Sequence, residues 1–125
     1  TYNRISNLKI LLAEDDEIAE MLFDLSAKPF FKNILKARNG IEAVETCRNN
    51  PDIDIVLMDV QMPLMDGHEA TRKIREFNKD VVIIAQTAFG LAGDREKALE
   101  AGCNTYIAKP FRIIELLELI HDYFN

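Results

Sequence analysis

The chain has 125 residues, 48% hydrophobic and 29% charged, with a net charge of −6. One domain of this length buries roughly two-thirds of its unfolded surface, so it folds without a disulfide or structural metal. The acidic balance disfavours direct nucleic-acid or anionic-membrane binding, and no apolar stretch reaches the ~18 residues of a membrane span. Cys47 and Cys103 lack CxxC spacing and read as small hydrophobes in a reducing compartment. His68 and His121 have no ligand-spaced partners for zinc.

The polar lead-in Thr1–Asn7 reads as a linker or tail, with one domain over 8–125. Together with the absence of a starting Met, it suggests a segment of a longer protein. Lys9–Ala13 is a continuous apolar run, as expected of a strand buried on both faces. Asp16 is an N-cap for a helix over Glu17–Ala27, which Pro29 ends. Asn33–Ala37 makes a second strand, Asn39-Gly40 closes it, and a helix over Ile41–Asn49 stops before Pro51. Asp54–Met58 is the third strand, Met62-Pro63 breaks the chain, and a third helix fits Gly67–Phe77.

Val81–Gln86, apolar and β-branched, is the clearest strand. A helix over Leu91–Ala101 follows, with Gly102 at its C′ position. Thr105–Ala108 is the last strand, Lys109-Pro110 a tight bend, and Phe111–Phe124 the final helix. On that helix Ile113, Leu117, Ile120 and Phe124 form one stripe for the core. Leu116, Leu119 and Tyr123 form a second, which either packs internally or meets a partner.

Alternating strands and helices imply an α/β fold, a parallel sheet covered on both faces. Ligands in such folds sit beyond the carboxyl ends of the strands. Four apolar runs end there in polar groups: Glu14-Asp15, Asp59, Thr87 and Lys109. Clustered carboxylates repel and raise one another's pKa, so a cation is needed to keep them charged. Mg²⁺ prefers oxygen ligands and takes one or two carboxylates together with phosphate oxygens. A phosphoryl group passing to Asp59 would place charge on its oxygens for the metal, Lys109 and Thr87 to balance.

ILLAEDD, IVLMDVQMPLMDG, the Thr87-Ala88 step and YIAKPF together resemble the receiver domain of two-component response regulators. The resemblance runs in order from Lys9 to the end of the chain. It implies a (βα)5 doubly wound, flavodoxin-like fold with strand order 2-1-3-4-5. It implies that Asp59 is the phosphoacceptor, with Mg²⁺ held by Asp15, Asp59 and the Gln61 carbonyl. Glu14 would act through metal-bound water; Asp15-Asp16 is the competing register for the acidic pair. Thr87 and Lys109 match the phosphate-sensing hydroxyl and lysine, Tyr106 the rotating aromatic, and Lys109-Pro110 a bond usually cis in the family. The donor would be a histidine kinase or a histidine phosphotransfer domain. Phosphorylation would reshape the face of the fourth helix, fifth strand and fifth helix, which could serve a dimer or intra-protein docking.

Gln61, Ala88 and Phe89 should rim the pocket, and bulky Phe89 should restrict water and lengthen the phosphorylated state. Met62, Pro63, Met65 and Gly67 read as a rigid loop over the core, and His68 as a helix-surface residue. The domain alone would catalyse only its own phosphorylation and dephosphorylation. MDVQMPLMDGHEATRKIR resembles receivers of hybrid histidine kinases, so the parent would be a kinase; a stand-alone or effector-linked regulator is the alternative. The expected location is cytoplasmic, with tethering to a membrane-bound sensor as one form. A flavin carrier would need a hydroxyl-rich phosphate loop where Glu14-Asp15-Asp16 stands. A haloacid dehalogenase-type phosphatase would need an acid at Gln61, and a P-loop needs GxxxxGK, which is lacking. A pure docking module would not respond to Mg²⁺ and acetyl phosphate.

Overall fold

The computed structural model describes residues 5–88 and 93–124. Five strands, β1 (Lys9–Ala13), β2 (Asn33–Ala37), β3 (Ile55–Asp59), β4 (Val82–Ala88) and β5 (Thr105–Lys109), alternate with five helices. These are α1 (Glu17–Ala27), α2 (Gly40–Asn49), α3 (Gly67–Phe77), α4 (Asp94–Ala101) and α5 (Ile113–Phe124). The sheet is parallel in the order β2-β1-β3-β4-β5, the doubly wound, flavodoxin-like arrangement expected. β3 is buried throughout, whereas the outer strands β2 and β5 are only partly so.

Strand alternation splits the core into two layers. Leu11, Val56, Met58, Ile83 and Ala85 face α2, α3 and α4, where Val44, Ala70, Ile74 and Ala98 meet them. Ile10, Leu12, Leu57 and Ile84 face α1 and α5, packing on Phe23, Ala27, Leu116 and Ile120. Ile5 and Leu8 join this second layer, and the Lys32 amide donates to the Ser6 carbonyl at 3.3 Å. The lead-in is thus in contact with the domain from residue 5.

Side-chain caps set three helix starts. Asp16 accepts from the Ile18 amide at 3.0 Å, Asn39 from Glu42 and Asp66 from Glu69, both at 2.8 Å. α4 differs: it begins after Gly93, at φ +89°, with no side-chain cap. Residues 91 and 92, the first of the helix expected over Leu91–Ala101, lie outside the described residues. Gly102, at φ +117°, closes α4 by donating to the Ala98 and Leu99 carbonyls.

α5 starts at Ile113, two residues later than expected. The Glu115 carboxylate accepts from the Arg112 amide at 3.1 Å, the return bond of a capping box, so Arg112 precedes the first turn. The stripe assignment on α5 also changes. Leu116 is fully buried beside Leu117 and Ile120, because the helix seats a broad apolar face on the sheet. Leu119 packs against the same layer, leaving Tyr123, 43% exposed, whose hydroxyl donates to the Asn104 carbonyl at 2.8 Å.

Candidate active site

Parallel register delivers the polar strand ends to one edge. Ala13 is level with Met58, Asp59 with Gln86, and Ala88 with Lys109. Beyond that edge lies a cavity of about 800 Å³, lined among others by Glu14, Asp15, Asp59, Gln61, Ala88 and Lys109. One oxygen from each of Glu14, Asp15 and Asp59 lies within 4.8 Å of the others. Glu14 and Asp59 are buried, Asp15 is exposed.

The Lys109 ammonium ties the buried acids together, donating to Glu14 Oε1 at 2.7 Å and to Asp59 Oδ2 at 2.9 Å. Burial drives the Asp59 carboxyl up to about 6, against the opposing effect of Lys109 and with help from the Glu14 charge. For Lys109, burial alone would lower its pKa, but its bonds to Glu14 and Asp59 outweigh burial and hold it above the ordinary lysine range. Oxygen-only donors with this much negative charge suit a small hard divalent cation. Asp16 caps α1 instead of joining the cluster, and its own amide donates to Glu14 Oε2 at 3.2 Å.

The loop after β3 fixes Asp59. The Gln61 amide donates to Asp59 Oδ1 at 3.3 Å, and the Gly67 amide to the Val60 carbonyl at 2.9 Å. Met62 and Met65 pack on the core, as a rigid cover should. A Cβ on Gly67 would lie 2.1 Å from the Asp59 carbonyl oxygen, so α3 abuts the acid's backbone as only glycine permits. Lys109-Pro110 is cis.

Two expected residues sit apart from the cavity. Thr87 is buried, but the lining residues of β4 are its neighbours Gln86 and Ala88. Tyr106 is half-buried against the α2–α4 layer with the Arg95 guanidinium 5.0 Å from its ring centroid. Phe89, expected on the rim, lies outside the described residues. His68 is not a helix-surface residue: it is half-buried and lines the cavity, and its Nε2 is buried with no hydrogen-bond partner among the described residues. Asp66, Asp94 and Lys97 also line the wall. The α4 pair carries no strand-end signal, because a helix start contributes it.

Among relatives of known identity, the chemotaxis protein CheY of Halobacterium salinarum is 38% identical over 114 residues, covering 91% of this chain and 94% of CheY. A solved Pseudomonas aeruginosa structure, the receiver domain of a sensor histidine kinase with magnesium coordinated in its active-site cleft, superposes with a TM-score of 0.84. It is 35% identical and the match covers 94% of this chain and 98% of that one. The Saccharomyces cerevisiae co-crystal of the histidine phosphotransfer protein Ypd1 with the receiver domain of its downstream response regulator Ssk1 matches with a TM-score of 0.88 at 28% identity, covering 96% and 90% of the two chains. The response regulator receiver domain model itself matches residues 10–121. With the sheet order, the acidic cluster and this match in agreement, the chain belongs to the response regulator receiver domain family of two-component signalling.

Proposed function

We propose that this domain accepts a phosphoryl group on Asp59 from a phosphohistidine donor, with Mg²⁺ as cofactor. The observation that carries the reading is the convergence of Glu14, Asp15, Asp59 and Lys109, from three strand ends, on one cavity. Glu14, Asp15 and Asp59 would hold the ion, with Gln61 beside them; when bound, Mg²⁺ supplies positive charge that offsets the carboxylates and the phosphoryl oxygens. An Asp59 oxygen attacks phosphorus as the donor's phosphorus–nitrogen bond breaks, and the imidazole leaves with the bonding pair and takes up a proton. Lys109, already 2.9 Å from Asp59, pairs with a phosphoryl oxygen as the acid is esterified. Thr87 turns from its buried position to donate to another oxygen, and Tyr106 moves into the space it leaves. The α4-β5-α5 face thereby changes shape, serving as a docking surface or dimer contact.

The donor is a histidine kinase or a histidine phosphotransfer domain, the latter supported by similarity to a receiver crystallised with such a protein. The domain acts only on itself. Likeness to the receiver of a sensor histidine kinase supports a hybrid-kinase parent, which would be a histidine kinase; full-length likeness to CheY supports a stand-alone regulator instead. A cytoplasmic location fits both. Incubation with acetyl phosphate and Mg²⁺, read by intact mass, should add one phosphoryl group to the wild type and none to Asp59→Asn. Labelling of Asp59→Asn would overturn the assignment.

A further inference from the structure

The Arg95 side chain sits where its own helix does not favour it. It lies in the first turn of α4, where the helix dipole favours acids, and Asp94 and Glu96 flank it there. Its guanidinium is instead stacked over the Tyr106 ring, 5.0 Å from the centroid, on the exposed side of the domain. α4 is the helix that enters from Gly93 without a side-chain cap, so contacts such as this one count for more in holding its start. Tyr106 is level with Ala85, and Thr87 lies two residues further along the same face of β4. Ala85, the register partner of Tyr106, presents only a methyl group.

We infer that Arg95 is a positioning residue: its cation–π contact holds the Tyr106 ring in its half-buried position and so sets the threshold for the switch. This rests on the phosphoacceptor reading of Asp59. A cation over an aromatic face is stabilised by the ring quadrupole, and at an exposed site the contact shifts a two-state balance about 2–5-fold. A ring that moves away from the guanidinium breaks that contact, so the contact favours the half-buried position the ring holds in this structure. A ligand that binds the inward arrangement better must overcome it. Removing the guanidinium therefore strengthens binding of a phosphoryl mimic that Arg95 does not touch.

The test is a beryllofluoride titration in the presence of Mg²⁺, followed by NMR, for wild type, Arg95→Ala, Tyr106→Ala and the double variant. Arg95→Ala should bind about 2–5-fold more tightly than wild type, and the gain should vanish in the Tyr106→Ala background. Before ligand is added, the Tyr106 ring resonances of Arg95→Ala should already move toward their bound positions. Unchanged or weaker binding by Arg95→Ala, or an equal gain without Tyr106, overturns the role of Arg95 and leaves the phosphoacceptor reading standing. Failure of the wild type to bind beryllofluoride overturns both.

Discussion

Lys109 shares its ammonium between two buried acids, at 2.7 Å and 2.9 Å, and so stands in for much of the positive charge the site requires. Burial makes Asp59 harder to ionise than an ordinary aspartate, with its pKa raised to about 6. Mg²⁺ binds the ionised form, so protons and metal compete. Above pH 6 the affinity should be nearly flat; below it, affinity should drop by about tenfold per pH unit. Calorimetric Mg²⁺ titrations from pH 5 to 8 check this, and Asp59→Asn should abolish the step near 6. The residues of the acidic cluster were legible because carboxylates rarely end buried apolar runs without a partner. Thr87 was legible as a hydroxyl at the same sheet edge, and it is buried there between the cavity-lining residues Gln86 and Ala88. His68 was misread because its helix start looks exposed in sequence, whereas the contact of Gly67 with Asp59 draws that turn onto the cavity wall.

At the scale of elements, caps and breakers carried most of the information. Asp16, Asn39 and Asp66 accept the amide hydrogen bonds that start α1, α2 and α3; of these, Asp16 was legible in the sequence as a cap and Asn39-Gly40 as a strand end. The start of α5 was less so, since the return bond from Glu115 to Arg112 depends on a rotamer. The junction of β3 with α3 is the least tolerant. Gly67→Ala brings a methyl group against the Asp59 carbonyl and should cost about 2–3 kcal/mol in chemical denaturation. Because the carbonyl belongs to Asp59, the proposed acceptor, acetyl phosphate labelling should fall as well. Gly93→Ala is the matched control: among the described residues a Cβ there meets nothing within 4 Å, and only its φ of +89° is strained. It should cost about 1 kcal/mol and leave labelling unchanged.

Across the whole molecule, the parallel sheet and the two core layers follow from strand runs and alternation and the strand order from the family resemblance, but the outer surface of α1 follows from neither. Its sequence is apolar on two sides, and periodicity cannot say which side meets the sheet. Phe23 and Ala27 are buried, whereas Ile18, Met21, Leu22 and Leu25 are 64%, 56%, 58% and 69% exposed and lie on one stripe. A groove of about 610 Å³ adjoins it, lined by Leu22, Pro110 and Phe111 and reaching Glu14 and Lys109. Any protein donor that delivers a phosphohistidine to Asp59 must cover this rim, so the stripe is expected to seat the donor. Leu22→Glu with Leu25→Glu should slow transfer from a phosphorylated histidine phosphotransfer protein at least about tenfold, as loss of interface anchors does. Labelling by acetyl phosphate, which needs no docking, should stay at the wild-type rate. The bond from Lys109 to Glu14 spans 95 positions along the chain, and it is made only when β1 and β5 stand in the finished sheet. The pocket consequently exists only in the completed sheet, and a cation that occupies it acts as a clasp: it lends stability to the completed fold alone. On the phosphoacceptor reading proposed above, a form in which β1 or β5 is undocked would lack the pocket and take up no phosphoryl group.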